Sequence, residues 1–254
     1  MLLLNTRVPA ALILPEPVSD LHAHLVAQGA HWFRARPDDV VTNDTPGSID
    51  ALLSCTSALR AGHTNPNTHN TFFSTERDDP GLAFKAGLHC GYTVPDIVPD
   101  ARSWSAAVRF AAPGGDARTL LTLNTDALDN YMFLQQTTAG VLFKDQQNTL
   151  ECHGDTVTAT AGPDVYVVGL SDNQLWLKMN DGALLVSQKN ARLDLSGALT
   201  LFIGCRDNKG RLHKKLGTFQ LHDVIVWPDQ NVLDPAHKTT QTALENPALW
   251  RVSQ

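Results

Sequence analysis

Between Leu199 and Trp227 the chain reads Leu-Thr-Leu-Phe-Ile-Gly-Cys-Arg-Asp, then a basic loop, then Gly-Thr-Phe-Gln-Leu-His-Asp-Val-Ile-Val-Trp. No other stretch limits the fold so tightly. Leu199, Leu201 and Ile203 alternate, so they share one face of a strand that stops at Gly204. A second strand starts at Gly217 and alternates Phe219 with Leu221. Past Leu221 the apolar positions become Val224 and Val226, and the phase slips by one. A β-bulge at His222 and Asp223 absorbs such a slip and keeps both halves of the strand facing one core.

From Leu82 onward short strand signals follow one another. They are Leu82 to Phe84, His89 to Val94, Trp104 to Phe110, Leu120 to Asn124, Tyr131 to Gln136, Gly140 to Lys144, Thr149 to Cys152, Val157 to Ala161, Val165 to Leu170, Leu175 to Asn180 and Ala183 to Gln188. Gly, Asn and Asp separate them, the spacing of a β-sandwich. Upstream, Ser19 or Asp20 caps a short helix through Leu21, Leu25 and Val26 that ends at Gly29. His31 to Arg36 and Val40 to Thr42 read as strands. Residues 48–60 fit helix or strand alike. Residues 62–79 are rich in Asn, Thr, His and Pro and read as the longest loop. Asp234-Pro235 starts a last helical turn or two. The expected fold is all-β, a two-sheet antiparallel jelly-roll sandwich over residues 31–228, with about six strands per sheet. An N-terminal arm (1–30) and a C-terminal tail (229–254) flank it, and both are expected to bury apolar residues such as Leu12, Ile13, Leu14, Leu249 and Trp250.

The closing hairpin resembles that of concanavalin A-like and laminin G-like jelly rolls, whose last strand typically reads Phe-x-Gly-x-Ile-Asp-x-Val followed by an aromatic. The stretch Val165 to Val186, with Asn180, Asp181 and Gly182 at a turn, is similar to the hairpin those proteins place just before it. With Ser103 to Phe110 the resemblance covers roughly residues 80 to 230. It implies a buried Trp104 and, since laminin G-like relatives often hold Ca²⁺ through Asp and backbone oxygens, it makes Asp126, Asp129 and Asp172 candidate ligands.

Charge and cysteine content narrow the classes. Twenty basic against 26 acidic residues leave a net charge of −6, which argues against a nucleic-acid binder. The local exception, Arg206 to Lys215, reads as a solvated turn. Cys55, Cys90, Cys152 and Cys205 lack ligand or redox spacing and are expected to be reduced thiols. No segment has the ~18 apolar residues of a membrane span, so no membrane partner is expected. The start Met-Leu-Leu-Leu-Asn-Thr-Arg lacks a signal peptide's pattern. Synthesis in the cytoplasm without such a peptide is therefore expected, with a virion or particle surface as the destination.

The chemistry is marked by what the sequence lacks. Laminarinase-type jelly rolls work through a Glu-x-Asp-x-x-Glu strand, because retaining hydrolysis places two carboxyls about 5 Å apart. Here Glu16, Glu76, Glu151 and Glu245 are scattered. Asp38-Asp39 and Asp78-Asp79 read as turn formers. Cys152 and His153 are neighbours whose side chains point to opposite faces of a strand. No nucleophile turn or phosphate loop is present. The chain is therefore expected not to be an enzyme.

Binding chemistry remains. Sugars are held by aromatic rings and by planar polar groups. Tyr131 beside Asp129 and Asn130, Trp176 beside Asn173 and Gln174, and Trp32 beside His31 and Arg34 meet that description. The leading expectation is a non-catalytic module that binds polysaccharide over residues 62–79 and 126–131. It resembles lectin-like domains of phage tail fibres and capsid spikes, with other virion subunits as partners and a homo-oligomer as the assembly. The alternative is a structural virion protein whose jelly roll oligomerises without binding sugar.

Overall fold

The computed structural model describes residues 18–44, 48–64, 71–73, 79–125, 130–155, 162–189, 197–207 and 213–250. The strands in chain order are β1 His31–Arg34, β2 Val40–Thr42, β3 Ser48–Leu53, β4 Arg60–His63, β5 Thr71–Phe73, β6 Leu82–Phe84, β7 Tyr92–Val98, β8 Trp104–Ala111 and β9 Arg118–Thr125. They continue as β10 Asn130–Thr137, β11 Gly140–Asp145, β12 Glu151–Gly154, β13 Asp164–Ser171, β14 Gln174–Met179, β15 Leu185–Val186, β16 Leu199–Ile203 and β17 Phe219–Trp227. The helices are α1 Leu21–Ala27 and α2 Lys238–Leu244. Neither is long and apolar enough to cross a membrane.

These strands build a two-sheet antiparallel β-sandwich. The first sheet runs β15-β14-β13-β8-β17, with β1 and β6 sharing the far edge of β17 and β5 beyond β6. The second runs β12-β11-β10-β9-β16-β7-β4-β3-β2. The two are joined at one side where β3 also pairs with β5. Residues 48–53 thus form a strand, and β2 to β5 widen the sheets beyond the expected six strands each.

The phase slip of β17 has the anticipated cause. Its register against β8 shifts between Leu221 and Asp223. Phe219, Leu221, Val224 and Val226 all stay in the central core. On the other edge the bulge divides β17 between two partners: β6 pairs with Phe219–Leu221, and β1 pairs with Asp223–Val226. One residue of slip lets a single strand serve two short neighbours without turning its apolar face outward. Gly204, at the end of β16, has φ of +72°, and a Cβ there would lie 2.2 Å from the Phe84 ring. Glycine is required, and the chain leaves β16 by turning back across the second sheet.

Both ends of the described chain lie on the outer face of the first sheet. Asp20 caps α1, accepting from the Ala23 amide at 3.1 Å, and Asp234 caps the turn before α2 through the Ala236 amide at 2.9 Å. Leu21, Leu25, Leu244, Leu249 and Trp250 then form one apolar cluster with Trp32, Ala107, Val167, Ile225 and Trp227.

Candidate functional site

Residues directly opposite on neighbouring strands share a face, so the registers assign each side chain to the core or to an outer face. On the outer face of the first sheet, Trp32, Ile225, Ala107 and Val167 form one row. Arg34, Asp223, Arg109 and Val165 form the next. α1 and α2 cover it. Its polar groups are bonded to one another: Asp223 accepts from Trp32 Nε1 at 2.9 Å and from Arg109 Nη1 at 2.7 Å. Arg109 also bonds Asp79, and its guanidinium lies 5.9 Å from the centre of the Trp250 ring. Trp32, named as a possible sugar platform, is fully buried here.

His222 belongs to the same knot. Its Nδ1 lies 3.1 Å from the Pro80 carbonyl and 3.7 Å from Asp79, and its buried Nε2 has no hydrogen-bond partner among the described residues. Burial, then the Arg109 cation, holds it below its ordinary 6.5, with Asp79 and Asp223 pulling the other way. Burial lowers His24 and His31 as well. Below about pH 6.5 the unfolded chain takes up protons that the folded protein resists, so these histidines make stability fall as pH drops from about 7 to 5. His222→Asn, which keeps the Nδ1 hydrogen bond, is expected to flatten that fall. Urea midpoints across the range measure it, and an equally steep fall in the variant would contradict the assignment.

The outer face of the second sheet differs in character. Cross-strand rows place Phe202, Thr122, Phe133, Lys144 and Glu151 together, and Thr200, Asn124 and Tyr131 beside them. The chain returning from Gly204 lays Arg206 over this face. Its guanidinium sits 3.7 Å from the Phe133 ring centre. Arg206 donates to Gln135 Oε1 at 2.8 Å and to Thr119 Oγ1 at 3.2 Å. The Tyr131 hydroxyl also meets Arg206, whose pKa burial pushes down. Tyr131 is half-exposed and tilted 49° against Phe133 at 5.9 Å. Next to it the Asn124 Oδ1 is buried without a hydrogen-bond partner among the described residues.

The candidates read from the sequence do not converge. Tyr131 stands on the outer face of the second sheet. Trp176 packs against the apolar cluster on the opposite outer face, with its buried Nε1 unpartnered among the described residues. Asp172 and Asn173 form the exposed turn between β13 and β14, with φ of 51° and 58°. They line an open groove of about 940 Å³ with Asp100, Asp229, Asp234 and Lys189. Asp126 and Asp129 lie outside the described residues, as do residues 65–70 and 74–78 of the long loop; of Asn130 only the backbone is described. No group of three acidic, His or Cys side chains able to hold a metal ion occurs among the described residues. The four cysteines are free; burial pushes Cys55, Cys90 and Cys152 up to about 11, and Cys205 upward too. Such thiols are poor nucleophiles.

A further cavity of about 380 Å³ lies under α2, lined by Val165, Val167, Leu233, Leu244 and Trp250. Its polar walls are largely committed: Lys178 to Glu245, Asn180 to Asp164 and the Val165 amide, Gln241 to two carbonyls. Arg206 escaped the sequence reading. The signal was the glycine before Cys205-Arg206, which sends this part of the loop over the sheet instead of into solvent.

No family model matches the sequence, and no curated protein matches it. Solved structures do match. A Trypanosoma rangeli sialidase bound to 2,3-difluorosialic acid superposes with a TM-score of 0.57 at 12% identity, over 87% of this chain and 33% of that one. Domain 4 of an extracellular arabinanase from Geobacillus stearothermophilus, in complex with arabinotriose, gives 0.52 at 9% identity, over 74% and 92%. An arabinofuranosidase bound to arabinofuranosyl-xylobiose gives 0.53 at 9%, over 78% and 51%. The chain thus spans about a third of the length of the sialidases it matches. The likeness is one of fold, a sandwich shared with carbohydrate-acting proteins.

These matches overturn the expectation that the chain is not an enzyme, since the proteins sharing its fold are glycoside hydrolases and parts of them. The expectation had rested on a missing local acid motif. A fold assembles acids from distant segments: Asp79 and Asp223, read as a turn former and a bulge residue, bond the same Arg109 guanidinium.

Proposed function

We propose that the chain is a carbohydrate-binding sandwich of the concanavalin A-like, laminin G-like type that holds a glycan on the outer face of its second sheet. In this reading Tyr131 is the stacking ring, and Asn124, Gln135 and Lys144 are the hydroxyl partners, with Asp129 and Asn130 beside them in sequence. The observation that carries it is a half-exposed tyrosine on a sheet face next to an amide oxygen with no donor among the described residues. A buried acceptor left unpaired costs about 1–3 kcal/mol, and a sugar hydroxyl would satisfy it. The match to a domain of comparable size solved with arabinotriose supports the same ligand class. The virion setting gains no support from the structures that share the fold. The lattice-protein alternative needs a broad apolar patch, and the exposed large apolar side chains among the described residues are Val26, Leu184 and Val186.

A glycan array on the purified chain identifies a ligand, and calorimetric titration then compares variants. Tyr131→Ala is expected to weaken binding about tenfold, the equivalent of about 1.4 kcal/mol, with little change in melting temperature. A variant that binds normally but melts far lower would assign the ring to packing.

A further inference from the structure

Arg206 has an unusual set of partners. It is 8% exposed, yet among the described residues its hydrogen bonds go to Thr119, Gln135 and Tyr131, all neutral. A buried charge normally has a hydrogen-bonded counter-charge. Asp207, next to it in sequence, acts on it by charge, while the Arg206 side chain hydrogen-bonds Tyr131.

Other cations act on Lys215 together with Arg206. Lys144 lies 5.7 Å from the centre of the Phe133 ring that Arg206 covers. Arg118 and Lys215 stand at the same end as Arg206: Arg118 pairs across β9 and β10 with Gln136, beside the Gln135 that Arg206 holds, and bridges to Leu216. They repel one another, and Lys215 is held below its ordinary value by Arg206 first, then burial, Arg118 and Lys144. The acids nearby are partly committed, Asp116 to Arg118 at 2.8 Å and Glu151 to His153 at 3.3 Å. In a chain of net charge −6, four cations that act on one another, two of them over the Phe133 ring, run against the average.

We infer that this face selects acidic glycans, an anionic group on the sugar supplying the hydrogen-bonded counter-charge that Arg206 finds at none of the described residues while the sugar ring rests on Tyr131. The inference rests on the glycan-binding reading and adds the ligand's charge. Carboxylate and sulfate share the required chemistry. Either would draw Lys144, Lys215 and Arg118 into a low-repulsion arrangement, with binding that weakens as salt screens the exposed members.

The test titrates the full chain with polygalacturonate oligomers, a sulfated galactan and a neutral galactan of similar length. At least one acidic polymer is expected to bind about tenfold tighter than the neutral one, with the gap narrowing as ionic strength rises. The two acidic arms separate carboxylate from sulfate. Lys215→Gln, at an exposed side chain outside the hydroxyl-binding set, is expected to lose affinity severalfold for the acidic polymer alone, and Arg206→Gln to lose most of it. If neutral and acidic polymers bind equally and Tyr131→Ala weakens both, charge selection is wrong and the glycan site stands. If no polymer shows binding that depends on Tyr131, both readings fall.

Discussion

Asp223→Ala is expected to destabilise the protein by about 3–5 kcal/mol, the usual cost of breaking a buried ion pair from one side. At about 2–4 °C per kcal/mol in a chain of this size, the melting temperature should fall by roughly 10 °C. The Asp223 carboxylate is 1% exposed and accepts from both the Trp32 indole and Arg109. Without it the Trp32 N–H loses its partner, and among the described residues Arg109 keeps only the Asp79 carboxylate, which is partly open to solvent. The desolvation of a guanidinium and an indole N–H then goes uncompensated. The pair Arg109→Met with Asp223→Leu removes both charges and should recover much of the loss. Thermal unfolding of the single and double variants measures this, and an Asp223→Ala loss below about 1 kcal/mol would show the knot to be weakly coupled.

Trp250→Ala should cost a similar amount, about 3–5 kcal/mol. The ring is 1% exposed and meets Trp32 edge-on at 6.1 Å and 85°. Its indole N–H donates to the Leu244 carbonyl at 2.9 Å, and Arg36 bonds its main-chain oxygen. Removing it opens a cavity between α2 and the first sheet, beside a space that already holds about 380 Å³. Because Arg109 lies over the same ring, the Asp223 and Trp250 losses should not simply add. A Trp250→Ala protein that melts like the parent would mean that the residues after β17 contribute little to covering this face.

What could be read from the sequence was what depends on near neighbours. The slip from Leu221 to Val224 located the bulge, and Asp20 and Asp234 marked the helix starts, because period and capping are local. Which face an aromatic takes is decided by its cross-strand partners. Trp32 and Tyr131 each sit beside polar residues in sequence, yet β17 and the two helices enclose Trp32, while β9 and β11 leave Tyr131 at an open face. Asp79 looked like a turn residue because its partner Arg109 is 30 residues away, and Asp223 lies a further 114 from Arg109. Arg206 looked like part of a solvated loop because nothing local reveals that Gly204 turns the chain over Phe133. The acid-motif argument against catalysis failed for the same reason, since it treated adjacency in sequence as adjacency in space.

Charge selectivity, Tyr131 stacking and the unpaired Asn124 oxygen all depend on the glycan sitting on one particular face. Backbone amide chemical shifts, followed while the best glycan from the array is titrated into the labelled chain, test this most directly. The account predicts that the largest shifts fall at Asn124, Tyr131, Phe133, Lys144 and Arg206, and saturate together with one dissociation constant. Shifts concentrated instead around Leu244 and Trp250, or around Asp172 and Asn173 in the end groove, with the Tyr131 face unmoved, would contradict it.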